Sequence, residues 1–236
     1  MATEREVAVI VGVGPGLGVA LARRFAAAGV SVAIAARDLS ALTALAAAIG
    51  PDVHPYACDV TDEAQVEGLF RQVEADLGVP AVAIHNAAGY MRQSILDTTQ
   101  DDFERCWRVV CLGGFLVGRT AARMMASRGQ GTILFTGATA SIRGSALFQN
   151  FAPAKFALKG LAQSMARELQ PRGLHVAHVV IDGPIASDRL RGMLTDRDPD
   201  SFLEPDGIAE AFYQLHRQSR NAWTHELDLR SWRETF

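Results

Sequence analysis

Six runs of strand length in this chain are largely apolar, and most are separated from the next by a segment of helical length. Residues 6–13 (EVAVIVGV), 30–36 (VSVAIAA), 81–88 (AVAIHNAA), 131–138 (GTILFTGA) and 174–182 (LHVAHVVID) carry almost no polar alternation, and 53–60 (VHPYACDV) reads as a shorter strand of the same series. A strand that is apolar on successive residues is buried on both faces, which implies parallel strands covered by helices. Helices are expected over 17–29, from about Ser40 to Gly50, and over 61–78 with Thr61 as N-cap. Strand and helix in alternation give right-handed crossovers and a doubly wound α/β sheet. Residues 221–236 supply the last strand, and residues 1–236 read as a single domain. The polar, irregular segment 186–207 is positioned to act as a substrate lid.

Charge narrows the function. The 23 basic and 26 acidic residues leave a net charge of -3 with no long basic run, which argues against a nucleic-acid face or a polybasic membrane patch and for a small-molecule substrate. The three cysteines, Cys58, Cys106 and Cys111, are unevenly spaced and lack a CxxC, fitting reduced thiols rather than disulfides or zinc. No cluster has metal-ligand spacing, and the N-terminus does not resemble a signal peptide. A cytoplasmic protein is expected.

The first strand runs into GVGPGLG, a GxxxGxG turn in which Gly12, Gly16, Leu17 and Gly18 are candidate cofactor contacts. Glycines are needed where the chain turns sharply and backbone approaches a pyrophosphate at a helix N-terminus. About 20 residues on, an acid would bind the ribose of NAD and an arginine the 2'-phosphate of NADP. The second strand ends Ala36, Arg37, Asp38, which favours NADP(H) over NAD(H).

The turn, CDVTD (58–62), NAAG (86–89), the lysine of FAPAKFALKG and the late PDGIAEAF (205–212) occur in an order and spacing similar to those of the short-chain dehydrogenases/reductases. The resemblance covers nearly the whole chain. It implies a Rossmann-like domain with a seven-stranded parallel sheet, assembled as a homodimer or homotetramer, the helix from Phe151 building the interface. By the same resemblance Asp59 and Val60 flank the adenine, and Asn86, Ala87 and Gly89 line the cofactor. Ile185 contacts the nicotinamide end, where the family's Pro-Gly pair is replaced by IDGPI (181–185).

The resemblance breaks at the chemistry. The family's Asn, Ser, Tyr, Lys tetrad falls on Cys111, Ala138, Phe151 and Lys155, so only the lysine survives. A positioned general acid is worth roughly 10² to 10⁴ in rate, and phenylalanine forfeits it. The remaining hydroxyl candidates by position are Thr136, Thr139, Ser141 and Tyr90, while His85 and His178 read as satisfied core histidines. The leading expectation is an NADP(H)-dependent oxidoreductase whose substrate does not need the tyrosine, with Lys155 holding the cofactor ribose or serving as the acid itself. Two alternatives remain: an inactive NADP(H)-binding scaffold or sensor, and a non-redox enzyme on the same fold.

Overall fold

The computed structural model describes residues 5–196 and 198–233. Arg197 of the candidate lid, and residues 1–4 and 234–236 of the expected domain, lie outside the described residues. Seven strands, β1 (Val7–Val11), β2 (Ser31–Ala36), β3 (Val53–Ala57), β4 (Val82–His85), β5 (Gly131–Thr136), β6 (Leu174–Asp182) and β7 (Glu226–Arg230), form one sheet in the order β3-β2-β1-β4-β5-β6-β7. Every pairing is parallel. The fold is the Rossmann-like doubly wound α/β domain expected from the sequence.

Burial on both faces explains the apolar runs. Val7, Val9 and Val11 of β1 enter one core with Phe70, Phe135 and Leu158, while Ala8 and Ile10 enter the other with Phe25, Ile34 and Phe212. The first face is covered by α3 (Glu63–Leu77), α5 (Gly113–Ala126) and α6 (Phe151–Leu169), the second by α1 (Leu17–Ala27), α2 (Leu39–Ile49) and α8 (Pro205–His216). An eight-residue helix α4 (Gln100–Trp107) runs through a π-helical turn (Arg108–Leu112) into α5. The continuous Gln100–Ala126 helix is long and apolar enough to cross a membrane by length and composition, but 56% of its apolar window is buried inside the protein.

Three expectations are corrected. The N-cap of α3 is Asp62, whose carboxylate accepts from the Gln65 amide, while the Thr61 hydroxyl donates to Asp59. The Thr61 hydroxyl is thus engaged elsewhere, and aspartate is the stronger N-cap of the two. The strands β1, β4 and β5 stop two to three residues before their apolar runs do, and the leftover residues become the loops of the site. Segment 186–207 is not irregular throughout: it holds a helix α7 (Asp188–Met193) and a 3-10 turn (Pro199–Ser201). Its base is pinned by a parallel bridge between Ile185 and Leu203, with bonds from the Ala186 amide to the Leu203 carbonyl (2.8 Å) and from the Leu203 amide to Pro184 (2.9 Å).

Candidate active site

Strand order reverses between β1 and β4, and loops leaving opposite sides of that point part to form a crevice. Two cavities of about 680 and 940 Å³ lie there, sharing Gly12, Gly14, Ala88 and Tyr90 in their walls. Gly12 has φ 89° and its amide bonds to Ala35 at 2.8 Å. A Cβ at Gly12 would fall 2.8 Å from that of Ala87 and closer still to the Ala87 backbone. Asn86 fastens the same turn: its amide nitrogen donates to the Gly12 carbonyl (2.9 Å), and its oxygen accepts from the Thr136 hydroxyl (3.1 Å). One side chain thereby ties together the ends of β1, β4 and β5. Gly16, at φ 108°, precedes α1, whose N-terminus carries no side-chain cap.

The smaller cavity is walled by Arg37, Asp59, Val60 and Gly89, with Ala87 beside them. Asp38 does not face it with a free carboxylate, because its oxygen accepts from the Ala41 amide at 3.0 Å as the cap of α2, which holds its carboxyl below the ordinary range. Asp59 is likewise turned inward, accepting from the Thr61 amide (2.9 Å) and hydroxyl (2.8 Å).

The larger cavity is walled by Leu17, Gly18, Asn86, Ala138, Phe151, Lys155 and Ile185, so most candidates meet here. Gly16, Cys111 and, among the hydroxyl candidates, Ser141 line neither cavity. Phe151 and Lys155 stand one turn apart on α6, with the ammonium 5.5 Å from the ring centroid. Lys155 is 2% exposed, and its Nζ donates to the Thr136 carbonyl at 2.7 Å. Burial pushes its pKa from 10.5 down to about 8.

That shift has a stability consequence. Below about pH 8 the folded chain holds a buried charge at a cost; between pH 8 and 10.5 the unfolded chain keeps a proton that the folded one has released, so stability climbs with pH. Lys155→Met is therefore expected to exceed the wild type in urea stability at pH 7 by about 1 to 3 kcal/mol, after allowing for the lost bond to Thr136. The gap should narrow above pH 8, and a gap independent of pH would contradict the assignment.

The hydroxyl candidates separate cleanly. Thr136 is committed to Asn86, Thr139 donates to Asp182 at 2.8 Å, and the fully buried Ser141 accepts from the Ala138 amide at 3.1 Å. Tyr90 lines both cavities, is 64% exposed, and packs its ring edge-on against Phe151 (5.4 Å) and tilted against Phe148 (5.7 Å). Among the described residues its hydroxyl has no partner.

His85 is buried with Nε2 3.0 Å from the Val110 carbonyl in the π-helical turn, and burial lowers its pKa to about 3. The imidazole is neutral at ordinary pH, so Nε2 donates and Nδ1 is left without a bond among the described residues. Gly113 and Gly114 flank the ring, each placing a hypothetical Cβ 3.3 Å from it. His178, also buried and pushed to about 4, has no bond at either ring nitrogen among the described residues. Both are core histidines, but neither is fully satisfied as expected. Burial pushes the thiols of Cys58 and Cys106 up to about 11, and Cys106 donates to the Gly89 carbonyl at 2.9 Å. All three cysteines are free, Cys111 only half-buried.

Sequence reasoning missed a cluster beside the larger cavity. Asp182, at the end of β6, is 1% exposed and gathers the Thr139 hydroxyl, Arg143 at 3.8 Å and Arg230 at 3.6 Å. An aspartate ending an apolar strand was the available signal.

The family model for short chain dehydrogenases matches residues 6–197. The chain is a member of the short-chain dehydrogenase/reductase family. A short-chain dehydrogenase from Rhodopseudomonas palustris of known structure is 36% identical, with a TM-score of 0.83 over 96% of this chain and 99% of its own. A galactitol 2-dehydrogenase from Agrobacterium fabrum is 32% identical over 187 residues, 78% of this chain and 73% of its own. An alcohol dehydrogenase from Thermococcus sibiricus, solved with 5-hydroxy-NADP, is 25% identical with a TM-score of 0.86, covering 98% of this chain and 99% of its own. This short-chain dehydrogenase/reductase thus shares the fold and oxidoreductase class of its relatives.

Proposed function

We infer that this chain is an NADP(H)-dependent oxidoreductase whose active site works without the family's tyrosine acid. The crevice fits the cofactor: a glycine turn too close to Ala87 for any side chain, an uncapped helix N-terminus for a pyrophosphate, and an arginine at the far end. When bound, the nicotinamide would supply or accept a hydride. Gly12, Gly16, Leu17 and Gly18 would hold the pyrophosphate, Asp59 and Val60 the adenine, and Asn86, Ala87 and Gly89 the middle of the molecule. Arg37 would pair the 2'-phosphate, since Asp38 is spent on capping α2 and leaves no strand-end acid for a ribose. The NADP analogue on the Thermococcus sibiricus relative supports the same preference. Lys155 would hold the nicotinamide ribose and Ile185 the carboxamide side.

The observation that carries the reading is Phe151 in the cavity wall one turn from Lys155, where the tetrad's tyrosine would stand. A carbonyl reduced here would leave an alkoxide with no aligned proton. Hydride addition to an iminium gives a neutral amine, and addition to a conjugated alkene gives a delocalised enolate that solvent protonates afterwards, so neither needs a proton at the moment of transfer and orientation in the cleft can suffice. Segment 186–207 would close over the substrate, since Leu190, Met193 and Leu194 already line the cavity. Phe103, Trp107, Phe115 and Phe156, each 38–46% exposed on α4, its continuation α5, and α6, offer an apolar face for a homodimer or homotetramer. Sedimentation as a single 25.4 kDa chain would contradict that assembly.

Arg37→Ala tests the cofactor half. NADPH binding, followed by nicotinamide fluorescence, is expected to weaken by about 10- to 100-fold, the worth of a charge-assisted contact, while NADH binding stays unchanged. Equal losses for both would place Arg37 outside the 2'-phosphate site.

A further inference from the structure

The larger cavity has an electrostatic sign. Among its described lining residues the charged ones are Arg143 and Lys155, both cationic, and no carboxylate lines it. Lys155 lies at the inner end. Arg143 is 43% exposed at the side chain and sits 3.8 Å from Asp182, beyond hydrogen-bonding distance, and its guanidinium makes no hydrogen bond among the described residues. The Asp182 carboxylate, 2% exposed, accepts from Thr139 and has Arg230 at 3.6 Å, while Arg230 also lies 3.4 Å from Asp228. Asp182 orients Arg143 through charge without hydrogen-bonding it, so the guanidinium keeps its donors for a ligand.

Beside Ser145 and Ser187, this rim carries an apolar stretch. Phe148, Leu190, Met193 and Leu194 line it, and Met193 is 67% exposed. Next to Phe148 stands Leu147 at φ 72°, a left-handed conformation that is strained for a residue with a side chain. Two bonds hold the strained loop: the Gln93 amide donates to the Leu147 carbonyl (3.0 Å), and the Gln149 side chain to the Gln93 carbonyl (2.7 Å). Such strain persists where surrounding structure over-determines it, commonly beside a ligand. Here it fixes an apolar shelf on the same loop as Arg143.

We propose that the cleft takes an amphipathic anion, its carboxylate or phosphate paired with Arg143 and its apolar body laid along Phe148, Leu190, Met193 and Leu194. This rests on the reading of the cleft as the substrate end of the site. It selects among acceptors that need no tyrosine: a purely cationic one meets two like charges, whereas one bearing an acid group meets a partner for it.

The test is calorimetric binding of octanoate, octan-1-ol and octyltrimethylammonium to the full chain with NADPH present, with NADPH binding measured separately by fluorescence. Octanoate is expected to bind at least about 10-fold more tightly than octanol, and Arg143→Gln to remove that preference, since a hydrogen bond to a charge is worth roughly 10- to 100-fold. Arg143→Lys, which keeps the charge, should restore part of it, and added salt should weaken it. Equal binding of octanoate and octanol, tighter binding of the ammonium, no saturable octanoate binding, or an unchanged Arg143→Gln would each overturn the proposal. If NADPH still binds in those cases, the cofactor reading survives; if wild-type protein binds no NADPH, that reading fails as well.

Discussion

Phe151→Tyr combined with Ala138→Ser is expected to raise NADPH-driven reduction of simple ketones by about 10² or more over the wild type. A positioned acid is worth roughly 10² to 10⁴, and an oxyanion donor a further factor of about 10² to 10³ where geometry is good. The scaffold is ready for both groups. Phe151 and Ala138 line the same cavity, and the Lys155 ammonium lies 5.5 Å from the ring that would gain the hydroxyl, close enough to lower a phenol's pKa. Of the neighbouring hydroxyls, Thr136, Thr139 and Ser141 are each committed to another partner, and the exposed Tyr90 alone among the candidates has none among the described residues. The assay is NADPH oxidation with a cyclic ketone. A folded, NADPH-binding double variant with no gain would mean that the crevice differs from a reductase site by more than its missing acid.

Gly12→Ala should cost about 2 to 5 kcal/mol of folding stability and abolish NADPH binding. Two costs add: a left-handed backbone that alanine adopts at about 1 to 2 kcal/mol, and overpacking worth about 1 to 3. The steric term is the firmer one. The new methyl would meet the Ala87 backbone rather than a movable side-chain tip, and Ala87 is fixed from the next residue by the bond from Asn86 back to Gly12. Urea unfolding measures the loss, and near-wild-type stability would show that the turn relaxes without it. Gly14, where an added Cβ meets nothing within 4 Å, is the matched control and should tolerate alanine far better.

How much of this could be read from residues alone differs between fold and site. Apolar runs such as 131–138 and 174–182 report burial on both faces, and burial depends on periodicity that any sequence displays. The same runs misreport strand ends: Asn86 and Ala87 continue the apolar run from β4 but leave the sheet to meet Gly12, and that turn is decided by contact with another strand. The glycine turn and Phe151 were legible because spacing fixes them relative to a strand end or a lysine. Arg143 was not, for its meaning comes from Asp182, 39 positions on by the numbering of the chain, and from described lining residues that include no carboxylate. Cys111 shows the converse. Spacing put it at a tetrad position, yet it lines neither cavity, and the π-helical turn spanning Arg108–Leu112 hands the Val110 carbonyl to His85 instead.

The most direct test of a site that moves hydride without a tyrosine is a single-turnover comparison on wild-type protein loaded with NADPH. A cyclic imine, reactive as its iminium, and the ketone of the same ring size, each bearing a carboxylate, are mixed separately with the complex, and the loss of nicotinamide absorbance is followed. The account predicts that the imine consumes the bound NADPH while the ketone leaves it at least about 10²-fold more slowly, the least that a missing acid should cost. Ketone turnover as fast as the imine's would contradict it, and would mean that another group, with Tyr90 the first to examine, delivers the proton.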